Sequence, residues 1–140
     1  MNSLINISEG TSLAIHGLGL LAQQAPQRLS VKAAAQRLSA SEAHLAKVFG
    51  KLQKQGWVNS TRGPAGGFSL SVSPDELTFL DVYELFQEKI HMNACPLGRS
   101  CCPFDDCMFD GRIHKLNLEV YNTLKNTTIT DLNSADKERR

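Results

Sequence analysis

SVKAAAQRLSASEAHLAKVFGKLQKQGWVNSTRGPAGGFSL, residues 30–70, carries most of the fold in its punctuation. Ser30 offers a side-chain oxygen to the open N–H groups of a helix start. Val31, Ala34 and Leu38 then recur at i, i+3 and i+7, the apolar stripe of a short helix. Ser39-Ala40 makes a tight turn. Ser41 repeats the cap, Leu45, Val48, Phe49 and Leu52 form the inward stripe of a longer helix, and Gly56 ends it. Trp57 to Thr61 reads as a strand. Phe68, Leu70 and Val72 alternate with serines, the period-two pattern of a second, half-buried strand. Between them, the glycines of Arg62-Gly63-Pro64-Ala65-Gly66-Gly67 permit the backbone angles of a hairpin tip. A helix pair across a tight turn followed by a hairpin predicts a winged helix-turn-helix, mainly α with a small β-hairpin wing.

Outward from this stretch, Ser8 caps a first helix running to about Gln24, with Glu9 in its first turn and Leu13, Leu18, Leu20 and Leu21 on its apolar side. Ala25-Pro26-Gln27 breaks it. Downstream, Thr78 caps a fourth helix carrying Leu80, Tyr83, Leu85 and Phe86. A last helix spans about Gly111 to Lys125, with Ile113, Leu116, Val120 and Leu124 along one stripe. Thr127 to Leu132 closes the fold, and Ala135 to Arg140 is a charged tail.

The composition, 41% apolar and 21% charged over 140 residues, is that of an ordinary globular domain. The sequence has neither an apolar run long enough to cross a bilayer nor a signal-like N-terminus, so a cytoplasmic location is expected. In that reducing compartment, four cysteines point to metal or redox chemistry rather than disulfides. The net charge of +1 hides an asymmetry: Arg28 to Arg62 holds seven Lys/Arg and one acid, Glu42, inside an otherwise acidic chain. A basic block of that kind suits a phosphate-binding face.

With Leu45, Val48 and Leu52 inward, Ser41, Glu42, His44, Lys47 and Lys51 are expected on the outer side of the third helix. Ser41 and His44, near its start, are candidates for base or phosphate contacts, and Lys47 and Lys51 for phosphates. Arg62 is placed to enter a narrow minor groove, while Gly63 and Gly66 let the wing backbone approach phosphate. An enzyme is not expected: no nucleophile–base pair stands out, and the glycines of the tip lack the strand-to-helix context of a nucleotide site.

Arg62-Gly63-Pro64-Ala65-Gly66-Gly67-Phe68-Ser69-Leu70, with Leu80-Asp81-Val82-Tyr83, the cysteines and the closing Thr-Ile-Thr-Asp-Leu, resembles the Rrf2 family of bacterial winged helix-turn-helix regulators, with its IscR-like and NsrR-like members. The resemblance covers residues 4–132. It implies a dimeric repressor on a partly palindromic DNA operator, a wing arginine in the minor groove, and a C-terminal helix that pairs with its mate. It also implies an iron–sulfur cluster, of the 4Fe–4S or 2Fe–2S type, sensing redox state, nitric oxide or iron status.

The family's cluster-binding spacing fits Cys95, Cys101 and Cys107, five residues between each pair, while Cys102 offers an alternative to Cys101. The fourth ligand stays open. Asp110 stands where IscR-like members carry a histidine, and Ser12 where NsrR-like members present a partner's aspartate, with Glu9 and His16 a turn to either side. Asp105, Asp106 and His114 are also within reach. Zinc and a cluster-free thiol switch are the chemical alternatives. The expected organisation is a winged DNA-binding domain over 1–90, a cysteine-rich cluster-binding loop over 91–110, a dimerisation helix and closing segment over 111–132, and a flexible tail over 133–140.

Overall fold

The computed structural model describes residues 5–92 and 103–134. Cys95, Cys101, Cys102 and the tail from residue 135 lie outside the described residues. The described chain is mostly helical: α1 (Glu9–Gln24), α2 (Val31–Leu38), α3 (Glu42–Gln55), β1 (Val58–Thr61), β2 (Gly67–Leu70), α4 (Phe79–Phe86), α5 (Arg112–Asn126) and α6 (Asp131–Ser134). The strands form one antiparallel hairpin, with Val58 opposite Leu70 and Thr61 opposite Gly67.

The helix starts follow from capping chemistry. Ser8, Ser30 and Ser41 each accept a hydrogen bond from the backbone N–H three residues on. Thr78 and Asp81 form a reciprocal capping box. Each such cap contributes about 1 kcal/mol. The turn between α2 and α3 closes on Ser39, at φ 51°, with the Ala40 N–H returning to the Ala35 carbonyl. Gly56, also in the left-handed region, ends α3.

The core forms where α1 meets α3. Ala14, Ile15, Leu18 and Leu21 of α1 pack with Leu45, Val48, Phe49 and Leu52 of α3 in one buried cluster. Phe49 is completely buried. A Cβ on Gly17 would stand 2.5 Å from its ring, so the missing side chain is what lets the two helices close. Phe49 also meets Phe68 of β2 edge-on, ring centroids 4.9 Å apart, which ties the hairpin to α3.

The expected alternation in β2 is blurred: all four residues, Gly67 to Leu70, are half-buried. Ser69 donates to Asn59 Oδ1 across the hairpin at 3.0 Å. On α4, Leu80 and Val82 are buried, while Tyr83, Leu85 and Phe86 are half-buried.

The closing segment returns to this core. The Phe79 N–H donates to Thr127 O at 2.8 Å and the Ile129 N–H to Leu77 O at 3.0 Å, leaving Ile129 fully buried. On α6, Asn133 donates to the Gly19 carbonyl, and Leu132 packs at Gly19. The stripe on α5 divides: Leu124 is buried, Ile113 and Val120 are half-buried, and Leu116 is 56% exposed. Among the described residues, no helix is long and apolar enough to cross a membrane.

Candidate nucleic-acid interface

Successive residues of a helix turn by about 100°. With Leu45, Phe49 and Leu52 pointing into the core, the opposite face of α3 carries Ala43, Lys47, Gly50 and Lys54. Lys47 and Lys54 are exposed there. His44 and Lys51, seven residues apart, share a flank rather than that outer face. His44 is half-buried, with Nδ1 3.8 Å from Glu9 Oε1 on α1. Lys51 is exposed and holds its ammonium 4.8 Å from the centre of the Phe86 ring, at the end of α4. Ser41 is exposed at the helix start; its oxygen accepts the His44 N–H at 3.3 Å, which leaves its own proton to donate.

The other flank of α3 adjoins the hairpin, where Gln53 Nε2 donates to Ser60 Oγ at 3.1 Å. Arg62, Gly63, Pro64 and Ala65 are exposed at the tip. The two glycines that follow are required by geometry. A Cβ on Gly66 would collide with the Thr61 carbonyl. Gly67 has φ +139°, and a Cβ on it would lie 2.7 Å from the Leu29 carbonyl.

That approach lets Leu29 exchange backbone hydrogen bonds with Phe68 at 3.0 and 2.8 Å, which fastens the hairpin to the α1–α2 linker. Arg28 adds a side-chain brace, donating to Asn59 Oδ1 at 2.9 Å and to the Gly67 carbonyl at 3.4 Å. Asn59 in turn donates to Ser71 Oγ at 3.1 Å.

The basic block therefore divides by role. Arg28 braces the hairpin, Arg37 donates to Gln23, and Lys51 sits over Phe86. Lys32, Lys47, Lys54 and Arg62 lie exposed around α2, α3 and the tip. Gln53 and Asn59 were missed as contributors to this surface, and Lys54 and Arg28 were counted in the basic block without being named as individual site residues. For Lys54 the signal was present, since it lies seven residues beyond Lys47. Arg28 and Asn59 are 31 positions apart and leave no local signature.

Of the predicted cluster ligands, Cys107 is described. It is exposed, in the turn before α5, and the backbone N–H groups of Gly111 and Phe109 aimed at its sulfur hold the thiol below its ordinary pKa. Asp105, Asp106 and Asp110 are exposed nearby. His114 is half-buried, and its Nδ1 is buried without a hydrogen-bond partner among the described residues. On α1, His16 Nδ1 lies 2.7 Å from the Ser12 carbonyl, and Glu9 faces His44. Among the described residues, no three His, Cys, Asp or Glu side chains converge as a metal site.

The likenesses to known proteins agree with this architecture. The solved structure of CymR, the global cysteine regulator of B. subtilis, superposes with a TM-score of 0.74 at 25% identity, covering 96% of this chain and all of that one. An HTH-type transcriptional regulator of Aquifex aeolicus is 34% identical over 128 residues, 89% of each chain. The HTH-type transcriptional regulator IscR of Pectobacterium atrosepticum is 29% identical over 119 residues, 85% of this chain and 71% of that one. Residues 7–135 match the model of Rrf2, described as an iron-dependent transcriptional regulator. The chain belongs to the Rrf2 family of winged-helix transcriptional regulators.

Proposed function

We propose that this regulator binds its DNA operator as a dimer, and that an iron–sulfur cluster held by Cys95, Cys101 and Cys107 controls that binding. The DNA reading rests on exposed Lys47 and Lys54 on the outer face of α3, beside a braced tip carrying Arg62. In it, α3 enters the major groove and Arg62 the adjacent minor groove, with Ser41 and the backbone at Gly63 and Gly66 close to the duplex. His44 and Lys51 act from the flank of α3. The dimer reading rests on α5, which leaves Leu116 and Leu118 exposed, 56% and 38%.

The observation that carries the cluster reading is the even spacing of three cysteines within the stretch matched by an iron-dependent family model. The surroundings of Cys107 fit a ligand: N–H groups aimed at the sulfur favour the thiolate, the form that binds iron. A bound cluster would supply a group sensitive to oxidants, nitric oxide and iron supply.

The protein's part is to carry a change in that segment to α3. Gln87, at the end of α4, accepts hydrogen bonds from the Ser8 N–H and the Thr11 hydroxyl, both at 2.8 Å, and its Nε2 donates to the Asn6 carbonyl. These bonds fix the start of α1, whose Glu9 faces His44 of α3. The coupling equals the difference in operator affinity between the two states of the segment.

A thiol switch without a cluster is the second reading. It is favoured by the exposed Cys107, whose thiol is held below its ordinary pKa, and by the likeness to CymR.

Protein purified anaerobically from cells with intact cluster assembly should be brown, with iron and acid-labile sulfide in near-equal amounts. Cys95→Ala and Cys107→Ala should each bleach it. Comparing Cys101→Ala with Cys102→Ala identifies the third ligand by which one bleaches. Colourless protein that loses operator binding on mild oxidation would replace the cluster with the thiol switch.

A further inference from the structure

Gly50 sits on the outer face of α3, in the helix interior, between Lys47 and Lys54. Glycine there is costly, because it loses more backbone freedom on folding than alanine does. Of the other described glycines, all but Gly10 are required by close packing or by a positive φ inside the fold. Gly17 and Gly19 make room for Phe49 and Leu132, and Gly66 and Gly67 for nearby carbonyls, while a Cβ on Gly10 would rest in ordinary contact with the Phe86 ring, inside the fold. Gly56, Gly63 and Gly111 adopt positive φ. At Gly50 the backbone is ordinary α-helix, and an added Cβ would meet nothing within 4 Å. Packing and conformation within the protomer would both accept alanine.

We propose that Gly50 is a direct contact point for the sugar–phosphate backbone of duplex DNA, where the missing side chain lets α3 seat closer to the groove wall. The inference rests on the DNA-binding reading above and adds a residue to it. Two observations select the sugar–phosphate backbone over base edges. Gly50 lies past the first turns of α3, the part of a recognition helix that reaches bases. The exposed cations three residues before it and four after it flank the same face.

The test compares Gly50→Ala and Gly50→Leu with the parent protein, by fluorescence anisotropy on two labelled duplexes. One carries a sequence selected by the parent protein from a random pool, and the other is its scrambled version. Thermal unfolding is measured on the same samples. Gly50→Ala should unfold a few degrees higher, because helix propensity rises. It should bind both duplexes about tenfold more weakly, with the salt slope unchanged because no cation is lost. Gly50→Leu should bind more weakly still.

Parent-like binding by Gly50→Ala overturns the proposal. Weakening confined to the selected sequence overturns it in favour of a base-edge contact, and a lower unfolding temperature overturns it in favour of an internal role. If the parent protein enriches no sequence from the pool, the DNA reading itself fails.

Discussion

α3 and α5 are nearly equal in length, 14 and 15 residues, yet they treat their apolar residues oppositely. On α3, Leu45, Val48, Phe49 and Leu52 are all buried, and Ser41 and Gly56 close the ends. On α5, Leu124 is the buried residue, Leu116 and Leu118 face outward, and Gly111 starts the helix without a side-chain cap. α3 buries its apolar stripe within the chain, so its outer face is free to carry function. α5 carries apolar surface that the described residues leave exposed. Burying one exposed leucine against a partner stabilises by roughly 1.5–3 kcal/mol.

The largest expected effect lies on the α3 side of this comparison. Phe49→Ala should lower the unfolding free energy by about 3–5 kcal/mol, since it opens a cavity where α1, α3 and β2 meet. Leu116→Glu on α5 should behave differently. It should leave each protomer folded by circular dichroism, yet shift sedimentation to monomers and weaken operator binding about a hundredfold through loss of the paired half-site. A Leu116→Glu protein that stays dimeric and binds fully would break the comparison, because α5 would then need no partner.

Within the proposed DNA-facing region, α3 and the hairpin tip differ again. The tip is exposed from Arg62 to Ala65, while its base is braced by Arg28, Asn59 and Leu29. Arg62→Ala should leave the unfolding temperature unchanged and weaken operator binding by about 1–3 kcal/mol in a titration of labelled duplex. Unaltered affinity in the folded variant would confine DNA recognition to α3.

What was legible in the sequence was local. Ser8, Ser30, Ser41 and Thr78 mark helix starts because a cap needs only the next three residues, and the structure uses all four. Gly56 and Gly66 are local for the same reason, while Gly67 also makes room for the distant Leu29 carbonyl. The Arg28–Asn59 brace, the Gln87 bonds to α1 and the return of Ile129 to Leu77 join distant positions, and no periodicity encodes them. His44 and Lys51 show a different limit. Sorting α3 into inner and outer halves left no place for a flank, and both residues sit on the flank that meets Glu9 and Phe86. Of the cysteines, the spacing was readable, while the structure describes Cys107 alone.

Ser41 gives the smallest effect and the finest distinction, because it belongs to both the framework and the candidate interface. Its oxygen accepts the His44 N–H, and its exposed hydroxyl proton remains available to DNA. Ser41→Ala removes both functions and should cost about 1 kcal/mol of stability, together with a modest loss of operator affinity. Ser41→Asp separates them. Aspartate caps a helix as well as serine, so stability should return to the parent value in a chemical-denaturation curve. Its carboxylate cannot donate to a phosphate and repels it, so operator affinity should fall below that of Ser41→Ala, most at low salt. If Ser41→Asp restores both stability and affinity, Ser41 serves α3 as a cap and the duplex lies further along the helix, toward Lys47 and Lys54.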